Sequence, residues 1–173
     1  GGGVRGAAHI GVLQNLKEAG IKVDVISGVS AGSVIAAMYA FSEDPFWIEK
    51  KFRDFWSTNK LLTKNSIKNK PTSFKESFKK RISDYYATIH NVTNKLYLDT
   101  EQLEIAIKTL LPINNFSELK IPLKVVTTNL NDGKDIVYDK GDLISPLIQS
   151  CSIPGVFPPV IHYDKLISDG GVG

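Results

Sequence analysis

The chain has 173 residues, 42% of them hydrophobic and 23% charged, with a formal net charge of +3. That is enough for one domain with a substantial core, and it excludes an intrinsically disordered chain. No apolar run approaches the ~18 to 20 residues that span a bilayer, and the single cysteine, Cys151, excludes an internal disulfide and favours a reducing compartment, cytoplasmic or at the periphery of a membrane.

The chain opens on Gly1-Gly2-Gly3 with no element in front of it, so it reads as part of a longer domain with a strand expected ahead of Gly1. Ala8, Val12, Leu16 and Ala19 then recur at helical spacing, and Gly20 supplies a stop. "IKVDVIS" from Ile21 reads as a short buried strand, and "AGSVIAAMYAF" from Ala31 as a buried helix that ends before Glu43-Asp44-Pro45. Glycine loop, helix, strand, tight turn and helix make an α/β pattern with a parallel sheet. The middle third is different. Ile48, Phe52, Phe55 and Trp56 share one helical face, Phe74, Phe78, Ile82 and Tyr85 share another, and "DTEQLEIAIKTLLP" follows with Asp99 as N-cap and Gln102 completing a capping box. This is expected to be a helical insertion between two sheet-forming regions. Strands return with "IPLKVVTTNL" from Ile121 and "DIVYD" from Asp135, joined through "NDGK". A short helix around "DLISPLIQS", the loop "SIPGVFPPV" and a last strand "KLISDGG" complete the chain.

Between the first strand and the buried helix stands Gly28-Val29-Ser30-Ala31-Gly32. A serine hydroxyl attacks a carbonyl only if it is exposed at a charge-stabilising position and loses its proton to a base. Gly-X-Ser-X-Gly on a strand-to-helix turn provides the exposure, because side chains at the two glycine positions collide with neighbouring backbone. The helix that begins at the serine points its positive end at a developing oxyanion. The plainer alternative is a tight turn of small residues packed against a helix.

Gly1, Gly3 and Gly6 also match the dinucleotide-binding fingerprint. That fingerprint needs an acidic residue at the end of the following strand. The nearest, Asp24, lies at the start of its strand, so the match is set aside. The other use of "GGGVRG" is an oxyanion hole of successive amides. Arg5 either fixes that loop and adds positive charge, or is a solvated surface residue.

Three histidines are present. His9 falls one turn into the first helix, where a packed or hydrogen-bonded structural histidine is expected. His90 lies in a polar loop, and His162 follows "FPPVI" without the surroundings of a triad histidine. Asp169 ends the last strand and is followed by Gly170 and Gly171, which clear space around it. Aspartate-glycine is also an ordinary turn signal.

In order, "GGGVRGAAHIGVL", "ISGVSAGS", "SCSIPGVFPPV" and "ISDGGV" resemble the patatin-like phospholipases, and "LKIPLKVVTTNLNDGKDIVYDKGDLISPLIQS" is similar to them as well. The resemblance covers nearly the whole chain. It implies one acyl hydrolase domain over residues 1–173, of α/β class, with a parallel-rich central sheet flanked by helices in a three-layer α/β/α arrangement. The implied activity is acyl-ester hydrolysis, phospholipids first, through a Ser-Asp dyad and an acyl-enzyme, with no metal and no organic cofactor. Carried over, Ser30 is the nucleophile and Asp169 its partner, Gly1, Gly2, Gly3, Arg5 and Gly6 form the oxyanion loop, Gly28 and Gly32 frame the elbow, and Gly170 and Gly171 complete the Asp-Gly-Gly motif. A free aspartate, with a pKa of ~3.9, is a weak base at neutral pH, so the scheme leans on the oxyanion hole, where one good donor contributes roughly 3 kcal/mol. The rival readings are a Ser-His-Asp esterase acting on soluble esters, a non-catalytic lipid-binding relative and a dinucleotide-binding domain.

Between Ser57 and Ser83, Lys60, Lys64, Lys68, Lys70, Lys75, Lys79, Lys80 and Arg81 face Glu76 alone in sequence, with Phe74 and Phe78 interleaved. No nucleic-acid motif accompanies the charge. The expectation is peripheral docking on an anionic membrane, each lysine contributing ~1 kcal/mol near the surface; a solvated helix is the plainer alternative.

Overall fold

The computed structural model describes residues 1–58 and 100–173. A 3-10 turn, Gly3–Ala7, runs into α1 (Ala8–Glu18), followed by β1 (Ile26–Val29), α2 (Ala31–Ser42) and α3 (Pro45–Thr58). From residue 100 onward come α4 (Thr100–Leu110), a 3-10 turn (Phe116–Glu118), β2 (Leu123–Asn129), β3 (Lys134–Tyr138), α5 (Ile144–Cys151), β4 (Val160–His162) and β5 (Lys165–Asp169). The basic run from Lys60 to Arg81, the helix expected around Phe74 to Tyr85, His90 and the Asp99 cap lie outside the described residues.

The organising strand is β2. It pairs parallel with β1 over Ile26–Val29 opposite Leu123–Val126, and antiparallel with β5, where Asp169, Ser168 and Ile167 stand opposite Thr127, Thr128 and Asn129. On β2, β3 runs antiparallel beside Val125–Asn129 and so overlaps both of those registers. A strand has only two edges. β1 and β5 therefore share the edge that β3 leaves, the first beside the lower half of β2 and the second beside its upper half. β4 extends the sheet by pairing with β5. The three-layer α/β/α class holds, with a mixed sheet: β1–β2 is parallel and the other described pairings are antiparallel.

The core lies between this sheet and the helices, with Met38, Ile48, Ile107, Leu111, Val125, Leu143 and Leu147 almost wholly buried. Helix α2 is apolar all round and buried from Gly32 through Ala40, as a helix in the middle of a core must be. In α3, Ile48 is buried and Phe52 and Phe55 pack against the core, while Trp56, expected on the same face, is exposed.

Three local expectations shift. The strand expected from Ile21 begins only at Ile26, because Ile21 is used to close α1: Gly20 adopts a left-handed φ of 69°, Gly20 N–H donates to the Lys17 carbonyl and Ile21 N–H to that of Leu16. These two bonds are a Schellman cap, which leaves Ile21 and Val25 exposed. Along α1 the buried stripe is Ile10 and Leu13, with Val12 57% exposed; the helix turns toward α3, where the Gln14 amide donates to Glu49 at 2.7 Å. The end of the chain holds a hairpin rather than one strand. Tyr163 and Asp164 take φ of 48° and 60° between β4 and β5, the paired positive values that a two-residue hairpin turn requires.

Between β1 and α2 there is no room for side chains at the glycines. A Cβ at Gly28 falls 2.4 Å from the Ser33 Cα, and one at Gly32 falls 2.6 Å from the Gly1 nitrogen. Gly11, in the middle of α1, has nothing within 4 Å of an added Cβ. Gly28→Ala is accordingly expected to destabilise by ~1 to 3 kcal/mol through overpacking, whereas Gly11→Ala gains ~0.5 to 1 kcal/mol from helix propensity. Thermal and denaturant melts check both; equal stability of Gly28→Ala and wild type contradicts the packing of this turn.

Candidate active site

The register of β2 brings the two ends together. Val29, the last residue of β1, stands opposite Val126, and Asp169, the last of β5, opposite the next residue, Thr127. β1 and β5 thus run toward each other along one edge, and the chain must leave the sheet from both where they meet. Ser30 is the first residue beyond β1. Its backbone is at φ 55°, ψ −137°, a region that a residue with a Cβ occupies only when its surroundings hold it there. Those surroundings are specific. Ser33 donates to the Ser30 carbonyl through its amide at 2.8 Å and its hydroxyl at 2.6 Å. The Ser30 amide donates to Ser150 Oγ at 2.9 Å, and that hydroxyl donates to the Val126 carbonyl at 2.7 Å.

Asp169 is held in the same way from the other side. Its amide donates to the Ser152 carbonyl at 3.0 Å, which also accepts from Ser168 Oγ at 2.6 Å. The Gly171 amide donates to Asp169 Oδ1 at 2.7 Å and orients the carboxylate. Gly170 passes so near β2 that an added Cβ falls 2.5 Å from the Val126 oxygen.

Above this junction lies the glycine loop, with Gly2 and Gly3 at φ 117° and 52°. Its turn is closed by the Arg5 amide donating to the Gly2 carbonyl at 3.0 Å, and the Gly1 carbonyl is held by His9 Nε2 at 2.8 Å. His9 is thus the hydrogen-bonded structural histidine expected of it. Gly1, Gly2, Gly3, Val29, Ser30, Ile153, Asp169, Gly171 and Val172 line one cavity of about 240 Å³. Ser30 and Asp169 are 7% and 5% exposed, both reaching it from a buried setting. A larger cavity of about 670 Å³ between α1 and α3 contains neither.

Not every expected residue arrives there. Arg5 is exposed and Gly6 packs toward the Ala31 methyl, whose carbon lies 3.2 Å from a Cβ built at Gly6; neither lines the cavity. Of "SIPGVFPPV", Ile153 alone does. His162 is on β4 with its ring against Tyr138 and Tyr163, at centroid distances of 6.4 and 4.4 Å, and is not a lining residue. Asp24 is exposed ahead of β1, away from the strand end that a ribose-binding carboxylate needs. Sequence reasoning missed Ser33, Ser150 and Ser152. The available signal was Ser150, a polar residue on the α5 face that buries Leu143 and Leu147 completely.

The fold defines the class first: a three-layer α/β/α domain with a glycine-framed serine turn at the head of its central strands. Comparison with known proteins narrows it. The family model described as patatin-like phospholipase matches residues 1–173, and the chain belongs to that family. It is 29% identical over 171 residues to an uncharacterized NTE family protein of Mycobacterium tuberculosis, covering 99% of this chain and 41% of that protein. It is 29% identical over 173 residues to a patatin-like phospholipase domain-containing protein of Caenorhabditis elegans and 28% identical to neuropathy target esterase sws of Drosophila melanogaster, in each case over 99% of this chain and 11% of the relative. The chain therefore spans well under half the length of these relatives. VipD from Legionella pneumophila has a similar fold, with a TM-score of 0.59 and 19% identity over 99% of this chain and 45% of that one.

A thiol, that of Cys151, also stands beside Asp169. Burial first, and the Asp169 carboxylate second, push the Cys151 thiol up from its ordinary 9.0 to about 12, against a hydrogen bond with Ser33 that lowers it. The folded protein therefore keeps a proton that the unfolded chain releases, and this contribution to stability is lost as pH climbs from about 9 toward 12. At neutral pH the thiol is protonated and inert. Iodoacetamide at pH 8 is expected to modify Cys151 in the native protein about a thousandfold more slowly than in urea, following the thiolate fraction. Similar rates in both states, read by intact mass, contradict this assignment.

Proposed function

We propose that this chain is an acyl hydrolase domain that cleaves the ester bonds of phospholipids, with Ser30 as nucleophile and Asp169 as its base. The observation that carries the reading is the meeting of the β1 and β5 ends on one edge of β2, which puts the serine, the aspartate and the glycine loop on a single cavity. Ser30 Oγ attacks the ester carbonyl carbon as Asp169 takes its proton. The tetrahedral oxyanion is stabilised by amides of the glycine loop; Gly2 and Gly3 are assigned this part because the Ser30 amide already donates to Ser150. When the carbon–oxygen bond to the lysolipid breaks, Asp169 returns the proton to the leaving oxygen. Water then attacks the acyl-enzyme, gives its proton to Asp169, and Ser30 recovers a proton as the fatty acid departs.

Pre-set geometry favours this division of labour. Donors fixed before the reaction need no reorganisation, and each is worth ~3 kcal/mol in the transition state. Membership of the patatin-like family and similarity to a relative named an esterase support an ester as the reacting group.

The test is hydrolysis of phospholipid vesicles by three variants, each melted alongside the wild type. Ser30→Ala is expected to abolish turnover without lowering the melting temperature, and Asp169→Asn to slow it by roughly three orders of magnitude or more. His162→Ala keeps most activity. A silent His162→Ala beside an active Asp169→Asn replaces the dyad with a histidine mechanism.

A further inference from the structure

The assignment of Ser30 and Asp169 leaves open what fixes one relative to the other, and three residues at the end of α5 answer it. Ser150 is wholly buried, and both faculties of its hydroxyl are used: it accepts from the Ser30 amide at 2.9 Å and donates to the Val126 carbonyl at 2.7 Å. Val126 is the residue of β2 opposite the last residue of β1. The hydroxyl therefore links the strand to the first amide beyond it, at the position where the backbone takes its positive φ. Two residues on, the Ser152 carbonyl accepts from the Asp169 amide at 3.0 Å and from Ser168 Oγ at 2.6 Å. One short segment of backbone thus grips the end of β1 through Ser150 and the end of β5 through Ser152. It is anchored in turn by Leu143 and Leu147, both fully buried in the core.

We propose that Ser150 is a positioning residue of the reaction: its hydroxyl holds the Ser30 backbone in the attacking attitude, and the Ser150–Ser152 segment sets the separation of Ser30 from Asp169. Ser150 touches neither substrate nor the reacting atoms; it does not line the cavity. The role needs a group that donates and accepts at once. Threonine retains both capacities, cysteine only weakly, and alanine neither. Without the hydroxyl a buried amide and a part-buried carbonyl lose a partner, and Ser30 is released to relax toward ordinary backbone angles.

The proposal rests on Ser30 being the nucleophile, so Ser30→Ala is run beside it. Wild type, Ser150→Ala, Ser150→Thr and Ser150→Cys are compared on a short soluble ester well below their melting temperatures, and for the rate of covalent labelling by a fluorophosphonate. Ser150→Ala is expected to lower kcat ~10- to 100-fold, the scale of a misplacement of about 1 Å, with KM within about twofold of wild type. Labelling slows in parallel, and Ser150→Thr recovers most of both. A purely structural residue lowers the melting temperature without this split between kcat and KM. Where Ser150→Ala does not fold, Ser150→Cys carries the same comparison. Wild-type kcat in the folded alanine or cysteine variant overturns the proposal, as does a threonine variant that folds yet is as slow as they are. If Ser30→Ala retains turnover, it is the nucleophile assignment that fails; if Ser30→Ala is inert and Ser150→Ala is fully active, only the positioning role does.

Discussion

Two strands running toward each other along a single edge of β2 are the constraint on which the rest of this structure depends. β1 uses the edge as far as Val126 and β5 takes it over from Thr127. Neither can continue without colliding with the other, so both chains must leave the sheet at the same place. One departs through Ser30 into α2, the other through Asp169 into Gly170 and Gly171. A serine and a carboxylate brought together in this way are held by the sheet ladder rather than by flexible loops. A site carried on regular elements retains its geometry to a fraction of an ångström.

Holding Ser30 at a positive φ carries a strain on the order of 1 to 3 kcal/mol. It is offset within the same neighbourhood by the bond from Ser33 to the Ser30 carbonyl, by the bond from the Ser30 amide to Ser150 Oγ and by the burial of α2, whose apolar surface faces the core on every side. Close approach is the second requirement. Cβ atoms at Gly28, Gly32 and Gly170 all fall within 2.7 Å of backbone atoms, so the two departing chains and the glycine loop pack at distances that only glycine allows. Desolvation and the neighbouring Asp169 carboxylate keep the Cys151 thiol protonated, leaving the serine hydroxyl as the nucleophile that the carboxylate serves in the proposed mechanism.

Much of this was legible in the sequence, for identifiable reasons. Gly28 and Gly32 around a serine, between a β-rich run and an apolar run, specify a strand-to-helix turn, and Asp169 before two glycines marks a strand end that needs space. Other features were written in long-range geometry. Periodicity reports which faces are buried and says nothing of strand direction, so the antiparallel approach of β5 to β2 was not visible. The fate of Ile21 was decided by the left-handed Gly20, whose cap took residues that an apolar run alone assigns to a strand. Ser150 is marked as a polar residue on a buried face, but periodicity does not say what its hydroxyl bonds. Its role emerges only when the end of the helix is seen to bond β2 at Val126, 24 residues earlier in the chain, and β5 at Asp169, 17 residues after Ser152.

The central claim, that the meeting point of β1 and β5 is a reactive centre built around one serine, is tested most directly by finding where a mechanism-based reagent attaches. The protein is treated with a fluorophosphonate, digested, and the site of the added mass located by tandem mass spectrometry. The account predicts a single adduct on Ser30. An adduct on any other side chain, or no adduct on folded protein that hydrolyses the ester, contradicts it.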